Sequence, residues 1–123
     1  PQPINRPKVS IGGGGERKTL RLVAQYGDAC NLFGSSPDDV AHKLDVLRRH
    51  CDELGRDYDT IRKTILANNP RPEPDTLDDF VTHMADYAKL GIDTAIITPT
   101  TGAPASWIDA MSPAVPKLAE LGR

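Results

Sequence analysis

Apolar and polar positions along this chain follow two rhythms, and the changes between them mark out its elements. Residues 8–11 form an apolar run of strand type that enters four consecutive glycines, Gly12, Gly13, Gly14 and Gly15. A helical pattern over 16–26 leaves them, with Thr19, Leu20, Leu22, Val23 and Tyr26 recurring. Residues 28–33 read as a short buried strand. Ser36, Pro37 and Asp39 then supply an N-cap, an N1 proline and an N3 acid. The helix they open carries Val40, Leu44, Leu47, Cys51 and Leu54 as one apolar stripe, and Gly55 stands where a C′ glycine belongs.

Residues 61–67 alternate and end apolar, as a strand does. Three prolines, Pro70, Pro72 and Pro74, make residues 68–75 a loop. Thr76 is the expected cap of a third long helix, with Asp79 at N3 and Phe80, Met84, Tyr87 and Gly91 along its face. Residues 92–98 are an apolar, β-rich strand, and a loop over 99–104 follows. A last helix begins near Ala105, carries Trp107, Ile108 and Met111, and is split by Pro113 and Pro116. The order is β-α-β-α-β-α-β-α, which implies a parallel sheet with right-handed crossovers. Three closures fit it: a small open sheet, a doubly wound fold, or a consecutive half of an eight-unit barrel. A complete barrel needs about 250 residues, roughly twice the 123 present.

Composition narrows the class. Charged residues at 26% and a formal net charge of -2 suit a soluble globular protein, and without a basic surplus or basic run nucleic acid is not the expected partner. No apolar stretch approaches the ~18 residues of a membrane span. Two isolated cysteines, Cys30 and Cys51, give neither a disulfide framework nor a zinc pattern, so a cytoplasmic setting is the default expectation. Residues 1–7 have no apolar signal region and no initiator Met, and read as a linker from something upstream.

The glycine turn holds the clearest chemistry. Bare backbone amides between a strand and a helix N-terminus can seat a phosphate. Glycine is needed there because a Cβ would hold the ligand away and block φ > 0. The pattern lacks the Lys-Ser/Thr ending of a P-loop, and Arg17 stands where G-x-G-x-x-G needs its third glycine, so a ligand-free turn fits it equally. Other residues read as structural. His42, His50 and His83 are expected to be solvated helix histidines with no metal, Cys30 and Cys51 core thiols, and Asp28 a turn contact. Asp38, Asp39, Asp78 and Asp79 lie in first turns, where acids complement the helix dipole. Arg48 and Arg49 read as a solvated basic pair, and Trp107 as packing for the last helix.

Five stretches in one order go further: Ile11-Gly12-Gly13-Gly14-Gly15-Glu16-Arg17, Thr19-Leu20-Arg21-Leu22-Val23-Ala24, Asp28-Ala29-Cys30-Asn31-Leu32, Leu47-Arg48-Arg49-His50-Cys51-Asp52-Glu53-Leu54-Gly55-Arg56-Asp57, and Leu90-Gly91-Ile92-Asp93-Thr94-Ala95-Ile96-Ile97-Thr98-Pro99. Together they resemble the C-terminal half of the luciferase-like monooxygenase superfamily. Within it the likeness is to the deazaflavin (coenzyme F420)-dependent oxidoreductases, and it runs from Val9 to Leu121.

The resemblance implies that residues 1–123 are a single domain, the last four units of a TIM (β/α)8 barrel, with cofactor and substrate at the C-terminal ends of the strands. Gly12, Gly13, Gly14, Gly15 and Asn31 would then contact the cofactor. Leu32, Phe33, Thr98 and Thr100 would border the pocket of a small organic substrate, with Thr101 on the same rim. The implied reaction is hydride transfer between deazaflavin and substrate; with FMN in its place, monooxygenase chemistry is the alternative. Acid/base residues of such enzymes come from the first four strands, so this chain offers no catalytic residue by name. It is expected to pair with an N-terminal half or to self-associate. A non-catalytic phosphate- or nucleotide-binding module, or an inert fragment, is the rival reading.

Overall fold

The computed structural model describes residues 2–68, 72–99 and 104–122. Its four strands are β1 (Ser10–Gly12), β2 (Ala29–Phe33), β3 (Arg62–Leu66) and β4 (Thr94–Ile96), and its helices are α1 (Thr19–Tyr26), α2 (Pro37–Leu54), α3 (Leu77–Lys89), α4 (Pro104–Met111) and α5 (Ala114–Leu121). The sheet order is β1-β2-β3-β4 and every pair is parallel. A parallel sheet in this order never reverses direction, so it is not doubly wound, which requires a switch point.

Each strand is followed by a helix that packs back on the same face. Alternation along the strands shows which face that is. Cys30 and Leu32 on β2 and Ile65 on β3 are at most 1% exposed and join the core built with Leu20, Val23, Leu44 and Leu47. Their alternates point the other way: Phe33 is 64% exposed and Ile96 46%. Parallel sheets are ordinarily covered on both faces; here, among the described residues, the second face is open around Phe33 and Ile96, while Thr64 on the same face is buried.

Local signals in the sequence account for most of the helices. Ser36 Oγ accepts the Asp39 amide at 3.1 Å, and Gly55 closes α2 at φ 67. The face of α1 differs from the expected one. Leu20, Val23 and Ala24 are buried, whereas Leu22 and Tyr26 are exposed, because an i, i+3, i+4 set shares one side and residues 22 and 26 share another. This helix also begins at Thr19 instead of residue 16. The Leu20 amide reaches the Gly15 carbonyl at 2.9 Å, a five-residue span, so residues 16–18 form a wide turn. Leu54, expected in the stripe of α2, is exposed in the last turn, and Val46 is buried instead.

Four further expectations are corrected. Thr76 does not cap α3 with its side chain. It ends a short 3-10 turn, Pro74–Thr76, and its hydroxyl donates back to the Glu73 carbonyl at 3.2 Å. Gly91 lies beyond α3 at φ 88 and turns the chain toward β4, so it is no part of the helix face. Strand β4 covers three residues of the expected 92–98, since the Ile92 amide is still held by the Tyr87 carbonyl of α3. The break between α4 and α5 falls at Ser112 and Pro113, while Pro116 sits inside the first turn of α5, where its missing N–H costs nothing.

Candidate functional site at the C-terminal rim of the sheet

The glycine turn leaves β1 directly. Gly13 has φ +113, a conformation L side chains rarely adopt, and its amide donates to the Asn31 carbonyl at 3.0 Å. A Cβ on Gly15 would stand 2.7 Å from Thr19 Oγ1. Among the described residues, no hydrogen bond engages the amides of Gly14 and Gly15. Lys43 runs past this point, its Cε 3.5 Å from where a Gly14 Cβ would be.

Helix α2 grips the turn with three side chains. Lys43 Nζ donates to Glu16 Oε1 at 2.8 Å, His42 Nε2 lies 3.0 Å from the same oxygen, and His50 Nε2 donates to the Glu16 carbonyl at 2.7 Å. Hydrogen bonds from Lys43 and then His42 hold the Glu16 carboxyl below its ordinary pKa, and the same contact raises that of Lys43. His42 and His50 are therefore not simply solvated: both tie α2 to the glycine turn. The sequence offered no signal for this, since a helix bonding to a loop some thirty residues away leaves no local pattern.

Asn31 and Phe33 lie on the bare face of β2. Asn31 Oδ1 accepts from Thr64 Oγ1 at 2.8 Å, and the same hydroxyl lies 2.8 Å from the Cys30 carbonyl. Phe33, Gly34, Ser35, Leu66 and Asn68 border a shallow cavity of about 210 Å³ at the strand ends. Asn68, which sequence reasoning passed over as loop, joins the rims of β3 and β4: its Nδ2 donates to Thr98 Oγ1 and its Oδ1 accepts the Thr98 amide, each at 2.9 Å. Leu32 is not brought to this rim. It is 1% exposed and faces the helices, because residues adjacent in a strand point to opposite faces. Thr100 and Thr101 lie outside the described residues.

Within one chain these residues occupy three places. The glycines and Asn31 adjoin, Phe33 lies one turn of the pleat further along β2, and Thr98 stands beyond β4 at the opposite edge. A cavity of about 330 Å³ between α3, β4 and α5 is larger, but Met84, Ile92, Leu118 and Leu121 among its walls make it mainly apolar. The rim supplies what a polar ligand needs, namely free amides beside a cation.

The remaining polar candidates are structural. Asp28 accepts the Val9 amide at 2.7 Å and an ion pair from Arg6, anchoring the segment that enters β1. Burial pushes both the Cys30 and Cys51 thiols up, away from the reactive thiolate. The Arg48 guanidinium lies over the Tyr58 ring at 4.1 Å, so it is not merely solvated. Asp39 Oδ2 accepts from Ser35 Oγ at 2.6 Å, and Asp78 pairs with Lys117. Trp107 is half-buried on α4. No helix among the described residues is long and apolar enough to cross a membrane. Compared with protein-family models and with curated proteins, the chain matches none.

Proposed function

We propose that this chain is the C-terminal half of a (β/α)8 barrel and holds the phosphate of a deazaflavin or flavin cofactor at Gly14 and Gly15. The carrying observation is the pair of unengaged amides beside Lys43, directly after a parallel strand and ahead of α1. A phosphate fits that donor set: two amides, an ammonium and the N-terminal dipole of an eight-residue helix. Gly13 serves the turn and not the ligand, since Asn31 already takes its amide.

Asn31 and Phe33, on the bare face, would border the cofactor ring, and Thr98 the substrate. When bound, coenzyme F420 supplies hydride transfer, and FMN in its place oxygen activation. The residues of this chain bind and orient; proton transfer falls to groups outside it. The activity proposed is accordingly that of an oxidoreductase once the barrel is complete.

Fluorescence titration with coenzyme F420, FMN and inorganic phosphate tests the reading. Expected is saturable binding of F420 or FMN that phosphate competes away, and that the Lys43→Gln variant weakens at least several-fold. Absence of binding by all three ligands overturns it. Equal affinity for all three instead supports a phosphate-binding module without ring selectivity. The observation favouring that second reading is the open face around Phe33, which offers a ring one wall only.

A further inference from the structure

Thr64 Oγ1 lies 2.8 Å from two oxygens, the Cys30 carbonyl and Asn31 Oδ1. A hydroxyl carries one proton, and carbonyl and amide oxygens only accept. With Oδ1 toward Thr64, one of the two contacts therefore sets lone pairs against each other with no proton between them. Thr64 is 7% exposed, so water does little to relieve the conflict. A half-turn of the Asn31 amide removes it. Nδ2 then donates to Thr64 Oγ1, the hydroxyl donates on to the Cys30 carbonyl, and both contacts are hydrogen bonds.

We infer that Asn31 presents its amide oxygen, not its nitrogen, to the open face of the sheet, and that this oxygen selects a ligand with a hydroxyl next to its phosphate. The ligand class is a polyol or sugar phosphate ester. The inference rests on the phosphate seat proposed above and names the group bound beside it.

The outer end of that amide is free to act. Among the described residues no hydrogen bond reaches the Asn31 nitrogen, and it is not buried; after the half-turn the oxygen takes its place. Gly12 pairs with Asn31 in register, and residues so paired point to the same face of the sheet. A Cβ on Gly12 would meet only the Asn31 main-chain oxygen, at 4.0 Å, so β1 leaves room beside the amide. Gly14 follows two residues later, at most about 7 Å along the chain. A ligand with its phosphate on Gly14 and Gly15 therefore brings its first few carbons within reach of Asn31.

Hydroxyls on those carbons donate to Oδ1. An alkyl chain offers no donor there, and a carboxylate sets a second acceptor against the first. Asn68 is the contrasting case on the same rim. It donates to Thr98 Oγ1 and accepts the Thr98 amide, so a backbone donor fixes its orientation and no half-turn is open to it.

Two measurements on the full chain test the inference, the first without ligand. By NMR, a side-chain amide proton of Asn31 should exchange with water several-fold more slowly than those of Asn5, in the exposed segment before β1. Thr64→Val should abolish the difference. Exchange as fast as at Asn5 overturns the inference. In the second, ribitol 5-phosphate should bind at least several-fold more tightly than pentyl phosphate, which has the same carbon count and no free hydroxyl. That preference should vanish in Asn31→Ala. Equal binding of the two esters, or a preference that survives Asn31→Ala, overturns the inference. Inorganic phosphate that binds where both esters fail overturns it too and leaves the phosphate seat standing. Failure of all three removes the seat, and with it both the function proposed above and the ligand named here; slow exchange at Asn31 then leaves only the orientation of the amide.

Discussion

His50, in the fourth turn of α2, donates from Nε2 to the main-chain carbonyl of Glu16, 2.7 Å away. A carbonyl only accepts, so Nε2 carries the ring proton and the tautomer is fixed by the turn it holds. Its Nδ1 is buried without a hydrogen bond and lies 3.8 Å from Glu53 Oε2. Replacing His50 with Leu removes the donor and leaves the Glu16 carbonyl of the wide turn unpaired. The expected loss is about 1–3 kcal/mol, read as a lower urea midpoint at unchanged slope. A midpoint equal to that of the unmodified chain would show that the turn holds without α2.

Glu16 competes for the cation that a phosphate would use. Its carboxylate takes both Lys43 and His42, so a ligand at Gly14 and Gly15 must share or displace it. The Glu16→Gln variant is expected to bind inorganic phosphate several-fold more tightly, and the gain should shrink in high salt. Isothermal titration at two ionic strengths reads both effects. Weaker binding by the variant would mean that Glu16 positions Lys43 for the ligand instead of opposing it.

Gly55 offers a clean measure of backbone strain. It ends α2 at φ 67, and nothing stands within 4 Å of where a Cβ would be. A Gly55→Ala change therefore meets no clash and costs only the left-handed conformation, about 1–2 kcal/mol. Chemical denaturation of the variant checks the figure. A neutral result would place residue 55 in a different conformation in solution.

Acid should loosen the entry to β1 once the pH falls below about 4. The Val9 amide, and then the Arg6 and Lys8 charges, hold the Asp28 carboxyl below its ordinary value despite some desolvation. A carboxyl whose folded pKa is depressed contributes stability above its unfolded pKa, near 4, and loses it as pH falls through the lower folded value. Stability measured between pH 6 and pH 2 should drop below about pH 4, with a shallower fall in Asp28→Asn. Identical profiles for the two proteins would remove Asp28 from the acid transition.

Much of the fold is written in local chemistry. Ser36, Pro37 and Gly55 bracket α2 because caps act within one turn of the backbone, and the rhythm of 28–33 against 37–54 separates strand from helix. The misses share a physical origin. Leu22 and Tyr26 look like core positions in sequence, yet which stripe of α1 turns inward depends on where α2 lies. Leu32 borders the pocket only by the family resemblance, and the alternation of the strand turns it to the helix side instead. His42, Lys43 and His50 converge on Glu16 across 26 to 34 residues, a meeting that only tertiary packing arranges. The glycine turn was legible as a turn; which of its amides stay free was not, because Asn31 decides it from the neighbouring strand.

Strand order has a kinetic consequence. Every strand pairs with the next one along the chain, so each β-α-β unit closes with contacts no further apart than its own length. Parallel sheets are usually slow to form because distant segments must meet first; sequential pairing spares this chain that search. Units can add one at a time to a growing edge, in the direction in which a ribosome delivers them. The last edge exposed during synthesis is then β4, and a nascent chain should acquire protease resistance in steps that follow the units from β1 onward.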